Sequence, residues 1–374
     1  MSDAVTPIDL LMPDLEAEKS PDAPTDSTVR DSRGLGAWLT RHGVTLAVSC
    51  YQSSQLFLIG ATPTGKVSFS FQAFGKAMGL ARKGNSLYLA AAFQLWRMEN
   101  ILRPGEISSG TFDAVFLPRV GYTIGDLDMH EIGITFDNKP LIVNTRYNCL
   151  CTLDPVHAFR PVWKPFFISE IAQGDRCHLN GLAMDKGRAR YVTALGQADE
   201  QAGWKAAPDR GLLMDVERNR ILRDDLYMPH SPRIEGGQLY LLESGRGFLV
   251  RIDLKTGEKT DVCFLPGFAR GLSFHDGFAF VTLSRPRESD IDRVPLNDEL
   301  VRRGVEPWCG LAIIDLAAGE TVEWVRFEGK INQLFDVIPL TGIRCAMLLG
   351  PLSGEMANAI SFDLSALPKT PPRR

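Results

Sequence analysis

Gly271-Leu272-Ser273-Phe274-His275-Asp276-Gly277-Phe278-Ala279-Phe280-Val281 reads as two short apolar segments joined by an Asp-Gly turn. An Asp-Gly step between apolar runs is a strong local signal for an antiparallel hairpin. The unit recurs along the chain. Gly79-Leu80-Ala81 is followed by Gly84-Asn85 and Leu87-Tyr88-Leu89, and Ile132-Gly133-Ile134 by Asp137-Asn138 and Leu141-Ile142-Val143. Further copies of the second segment are Leu46-Ala47-Val48, Tyr191-Val192-Thr193, Leu239-Tyr240-Leu241 and Ala346-Met347-Leu348. A third strand ending in Asp and a turn often follows, as in Val250-Arg251-Ile252-Asp253-Leu254 before Thr256-Gly257.

The anchors Gly79, Gly133, Gly181, Arg233 and Gly271 stand 54, 48, 52 and 38 residues apart, with Arg233 replacing glycine in its unit. That spacing suits a four-stranded blade with loops of variable length. The predicted fold is all-β, a single β-propeller over residues 34–364. Seven copies of the second strand predict seven blades. Six is the alternative, because the first and last units are the weakest, and the ring is expected to close by mixing strands from both ends. A pair of all-β sandwiches is the competing architecture. Two polar insertions, residues 196–210 and residues 284–309 with a short helix, are expected over one face.

Residues 1–33 read as a disordered acidic arm. Up to Ser27 they hold seven acids against Lys19, with four prolines and no aromatic residue, too little apolar surface to offset the entropy of ordering. Residues 365–374 read as a short tail. The whole chain has 374 residues, 44% hydrophobic and 23% charged, with a formal charge of −4. A slightly acidic chain lacks the positive field that nonspecific nucleic-acid or anionic-membrane binding needs. No helix-sized apolar run or basic-then-apolar leader is visible. Seven scattered cysteines, an odd number, fit reduced thiols, so a cytoplasmic setting is expected. Cys149-Leu150-Cys151 has no second pair and reads as buried thiols rather than a zinc site.

Three of the six histidines share one place in the repeat, three residues before the anchor: His130, His178 and His230. The other units offer Lys76, Phe268 and Gln333 there. Innermost strands line the axial channel of a propeller, so equivalent positions converge at its mouth. Three imidazoles with open positions suit a divalent transition metal, iron or zinc. A metal-free catalytic or substrate-binding group and structural cross-blade hydrogen bonds are the other two readings. Asp128 and Asp175 could orient imidazoles. Glu131 and Glu243 are candidate catalytic acids or bases, and Arg146, Asn180, Arg233 and Arg270 candidate substrate-binding residues for an anionic group.

Several runs carry a family resemblance: Ala47-Val48-Ser49-Cys50-Tyr51-Gln52, Leu95-Trp96-Arg97-Met98-Glu99-Asn100, His178-Leu179-Asn180-Gly181, Met228-Pro229-His230-Ser231-Pro232-Arg233, Leu265-Pro266-Gly267-Phe268-Ala269-Arg270-Gly271-Leu272 and Leu283-Ser284-Arg285-Pro286-Arg287-Glu288. With them the chain resembles a bacterial family of hypothetical β-propeller proteins, over about residues 34–364. The resemblance implies the fold and a bacterial cytoplasmic setting, and transfers no catalytic residue. The functional expectation is an enzyme with a small-molecule substrate at the axial mouth, of lyase, hydrolase or oxygenase chemistry. The alternative is a noncatalytic propeller scaffold that docks a protein partner through its faces and acidic arm.

Overall fold

The computed structural model describes residues 27–287 and 293–363. Six sheets, antiparallel but for one added edge strand, follow one another around an axis. In chain order their innermost strands are Leu80–Lys83, Met129–Ile134, Leu179–Asp185, Pro229–Glu235, Phe268–His275 and Val337–Thr341. Each contacts the next, and the last returns to the first. The architecture is a six-bladed β-propeller.

Apolar packing explains the ring. The second and third strands of the sixth blade, Val44–Cys50 and Gln55–Ala61, are buried at every residue, because a neighbouring blade covers each face. Six apolar clusters lie between successive blades. Leu141, Val143 and Leu150 of the second blade, for example, meet Leu182, Val192 and Met214 of the third. A lone blade would leave both faces wet, so the blades are stable together. The anchor glycines mark the closest approaches: a Cβ on Gly181 would lie 2.4 Å from Pro232 Cδ, and one on Gly271 2.6 Å from Asp336 Cα.

The sixth blade is built from both ends of the chain. Val337–Thr341 pairs with Val44–Cys50, which continues into Gln55–Ala61 and Val67–Ala73. This is the expected mixed closure, and it carries the blade count from seven to six. Ala346–Leu348 matches the second-strand pattern but pairs in parallel with Ala114–Phe116 on the outer edge of the first blade. It is an added edge strand, not the core of a seventh blade.

Residues 27–31, inside the segment expected to be disordered, form a strand. Ser27–Asp31 pairs with Val325–Gly329 as a fifth, outermost strand of the fifth blade, and the backbone N–H of Ser32 donates to the Trp324 carbonyl. Residues 1–26 and 364–374 lie outside the described residues. Helix α1, Leu35–His42, follows the edge strand and buries Leu35, Trp38 and Leu39 against the core between the fifth and sixth blades. The short helix expected in the second insertion is α2, Leu296–Arg303, which buries Leu296 and Leu300. Among the described residues no helix is long and apolar enough to cross a membrane.

Candidate functional site

A cavity of about 330 Å³ opens at the mouth of the ring. Five of the six residues three places before the anchors line it: Lys76, His130, His178, His230 and Phe268. The repeat register therefore places all three histidines on the lining of one cavity. The backbone is bent to deliver them. Lys76, Asp128, His178 and Met228 take left-handed φ values of +46° to +52°, a conformation costly for non-glycine residues that clusters at functional sites. The innermost strands also carry bulges between mouth and anchor, as between His230 and Arg233, and a bulge re-aims side chains.

Hydrogen bonds settle the imidazole tautomers. Thr145 Oγ1 donates across the blade boundary to the Leu179 carbonyl at 2.6 Å, so it can only accept from His130 Nδ1, 2.8 Å away. The Asp128 carbonyl, 2.9 Å from the same nitrogen, is a second acceptor. Ser244 repeats the device: its hydroxyl donates to the Ala269 carbonyl and accepts from His230 Nδ1, which also meets the Met228 carbonyl at 2.9 Å. His178 Nδ1 lies 2.9 and 3.0 Å from the Asp175 carboxylate oxygens. All three rings thus carry a proton on Nδ1, and neutral His130 and His230 keep Nε2 as an acceptor. His230 Nε2 is buried with no hydrogen-bond partner among the described residues. The cross-blade hydrogen bonds are real, but they run through Nδ1 and the hydroxyls, leaving the other nitrogen for chemistry.

Burial pushes the His130 pKa down to about 4, and burial beside Arg270 lowers that of His230 as well. Both are neutral at pH 7. Trp204 lies against His178 with ring centroids 4.6 Å apart, and its indole N–H donates to Asp175 at 3.1 Å. His130 and His178 meet edge to face at 4.8 Å. Asp175 orients its imidazole through the carboxylate, as expected. Asp128 does so mainly through its backbone carbonyl, while its carboxylate pairs with Lys76 at 2.8 Å. Among the described residues the remaining charged groups lining the mouth are Lys205, Arg270 and Arg287, all cationic. The Arg270 guanidinium stacks on Phe268, 4.9 Å from the ring centre, and Arg287 donates to the Tyr51 hydroxyl at 2.6 Å.

The other candidate residues lie outside the cavity lining. Buried Glu131 pairs at 2.5 Å with Arg233, whose side chain is partly buried. Glu243 is fully buried against Arg246 and Lys259, at 2.8 and 2.9 Å, a pair of cations that removes it from the mouth. Asn180 accepts from Thr193 and donates to the Pro229 carbonyl, latching two blades. Arg146 pairs with Asp126 and lines an adjoining, more open cavity with Asp128 and Asp175. Arg270 alone of the four proposed substrate-binding residues lines the cavity that holds the histidines. All seven cysteines are free and buried. Among the described residues no group of three His, Cys, Asp or Glu side chains could hold a metal ion.

Two features escape local sequence reading. Asp336 stands three residues after Gln333, the anchor place of the sixth blade, and completes a buried trio with Glu131 and Arg233; burial and the charge of Glu131 push its carboxyl up to about 7. Trp204 and Lys205 reach the cavity from the 196–210 insertion. Counting three residues on from Gln333 would have found the first.

Comparison with known proteins agrees with this architecture. Residues 33–349 match the family model described as Domain of unknown function (DUF4915), and the chain belongs to that family. No curated protein matches it. Among solved structures, a chain in the crystal structure of a nidogen/laminin complex is similar at 11% identity and a TM-score of 0.51, over 80% of this chain and 99% of that one. A streptogramin B lyase structure is similar at 10% identity and a TM-score of 0.38, over 62% of this chain and 70% of that one. Selenomethionine-substituted virginiamycin B lyase from Staphylococcus aureus gives 10% and 0.37, over 62% and 71%. At such identities the likeness is one of fold alone, carried by the first structure.

Proposed function

We propose that this member of the DUF4915 family is an enzyme acting on a small anionic molecule at the axial mouth. One observation carries the reading: three imidazoles with a proton fixed on Nδ1 line a cavity whose described lining carries more cations than acids. His178, backed by the Asp175 carboxylate, is the general base, since that carboxylate stabilises the imidazolium formed when Nε2 takes a proton. Neutral His130 and His230 accept hydrogen bonds from substrate hydroxyl or amine groups. Arg270 and Arg287 bind the anion. A base of this kind serves elimination or hydrolysis, that is, lyase or hydrolase chemistry.

A second reading places a divalent iron or zinc ion on the same Nε2 atoms. The tautomers favour it, because a metal-binding histidine normally donates its other nitrogen to an acceptor; the lack of a ready three-ligand group among the described residues counts against it. Such an ion would supply Lewis acidity, and oxygenase chemistry would require it.

The test separates binding from turnover. Calorimetry with butyrate and with inorganic phosphate should show binding to the parent and at least tenfold weaker binding to Arg270→Ala. Incubation with an acidic metabolite extract, followed by mass spectrometry, should show one anionic compound consumed by the parent and spared by His178→Gln. A parent that binds no anion and consumes none refutes the reading.

A further inference from the structure

A second cavity of about 180 Å³ adjoins the mouth and shares Leu195, Trp204, Lys205 and Met228 with it. Its remaining lining comes from Pro208, Arg293 and Val294. The chemistry of the two spaces differs. The histidines, Arg270 and Arg287 belong to the first alone, whereas Leu195, Pro208, Met228 and Val294 give the second an apolar wall.

The shared wall is built into the site. Trp204 is held by its bond to Asp175, the residue that orients His178. Met228 supplies the carbonyl that fixes the His230 tautomer. Two loops meet over this wall, each joining the second and third strands of its blade, one in the third blade and one in the fifth. They are tied where the Arg293 guanidinium donates to the Lys205 carbonyl. A molecule seated against the wall would touch both spaces at once.

We infer that the ligand is an amphipathic acid, its anionic group among the mouth arginines and an apolar tail running past Trp204 into the second cavity. This rests on the proposed function and narrows its substrate class to a carboxylate or phosphate monoester bearing several methylenes. The head is selected by charge, and the tail by burial of apolar surface at about a fourfold gain in affinity per methylene.

Calorimetry with straight-chain carboxylates from butyrate to decanoate, below their micelle concentrations, tests this, with hexyl and octyl phosphate as the second head group. Affinity should rise about fourfold per methylene over part of the series and then level off. In Val294→Phe, which narrows the second cavity, the rise should vanish while butyrate binds as it does to the parent. Octylamine should bind neither protein. Equal affinity across the parent series, with butyrate bound, overturns the inference and leaves the proposed function standing. A rise that persists in Val294→Phe also overturns it, since the tail then lies elsewhere. Absence of binding by every acid removes the proposed function and the inference together. The parent series decides the matter even if the variant fails to fold.

Discussion

Arg233→Met is the most informative single change. Arg233 is a cation facing two buried acids: it pairs with Glu131 at 2.5 Å, and its charge opposes the upward shift of both Glu131 and Asp336. It also donates to the Leu182 and Pro232 carbonyls, at 3.3 and 3.0 Å. Methionine keeps much of the volume and removes all of this. Breaking a buried ion pair from one side costs about 3–5 kcal/mol. At about 2 °C per kcal/mol for a large domain, the midpoint should fall by roughly 6–10 °C at pH 8. The sign with pH follows from the carboxyls. Their folded pKa values lie above the unfolded ones, so protonation favours the folded state fully below about pH 4, and this is lost as pH rises through the folded values. Without Arg233 those values rise further, and the deficit should shrink as pH falls from 8 to 5.5. Thermal melts of parent and variant across that range measure it. A deficit that does not change with pH, or one under about 2 °C, would refute the account of the channel as a charge-balanced plug.

Three further expectations follow from other parts of the ring. His178→Ala should leave the β-sheet circular dichroism intact; if the imidazoles share a metal it should remove most of it, and a parent that never carries stoichiometric metal after iron- or zinc-supplemented growth defeats that second reading. Thr145→Val removes a cross-blade donor to the Leu179 carbonyl and one of the two acceptors of His130, and should cost about 1–3 kcal/mol in chemical denaturation; an unchanged midpoint would show that the latch is dispensable. Deleting residues 1–33 should lower the melting midpoint by several degrees, because Ser27–Asp31 covers the edge of the fifth blade and Val29 packs on the core; a neutral deletion would mean that this edge strand adds nothing.

Much of the ring was legible because its signals are local. Hairpin turns, anchor glycines and the histidine place all repeat within one unit, and the same count that set out Lys76, three histidines, Phe268 and Gln333 already held six members. The seventh blade came from Ala346–Leu348, whose apolar pattern cannot reveal a parallel partner more than two hundred residues earlier. Glu131 read as a candidate catalytic acid or base at the mouth, but its commitment to Arg233, which stands 102 residues on, was not legible. Glu243 was misleading for a similar reason: Lys259, on the far strand of its blade, claims it. Ser27–Asp31 looked unfit for structure because its polar composition hides a backbone that needs only a free strand edge. Long-range pairing was the missing information in each case.

The mixed sixth blade also sets the order of events during synthesis. Val44–Cys50, Gln55–Ala61 and Val67–Ala73 leave the ribosome early, yet their inner partner Val337–Thr341 follows about 260 residues later. At roughly 5–20 residues per second, these three strands wait about 13–50 s before the ring can close. Throughout that interval one face of the sheet and one strand edge stand open, a template for another nascent chain. Yield in the cell should therefore depend on translation speed and chaperone supply more than the stability of the finished ring would suggest.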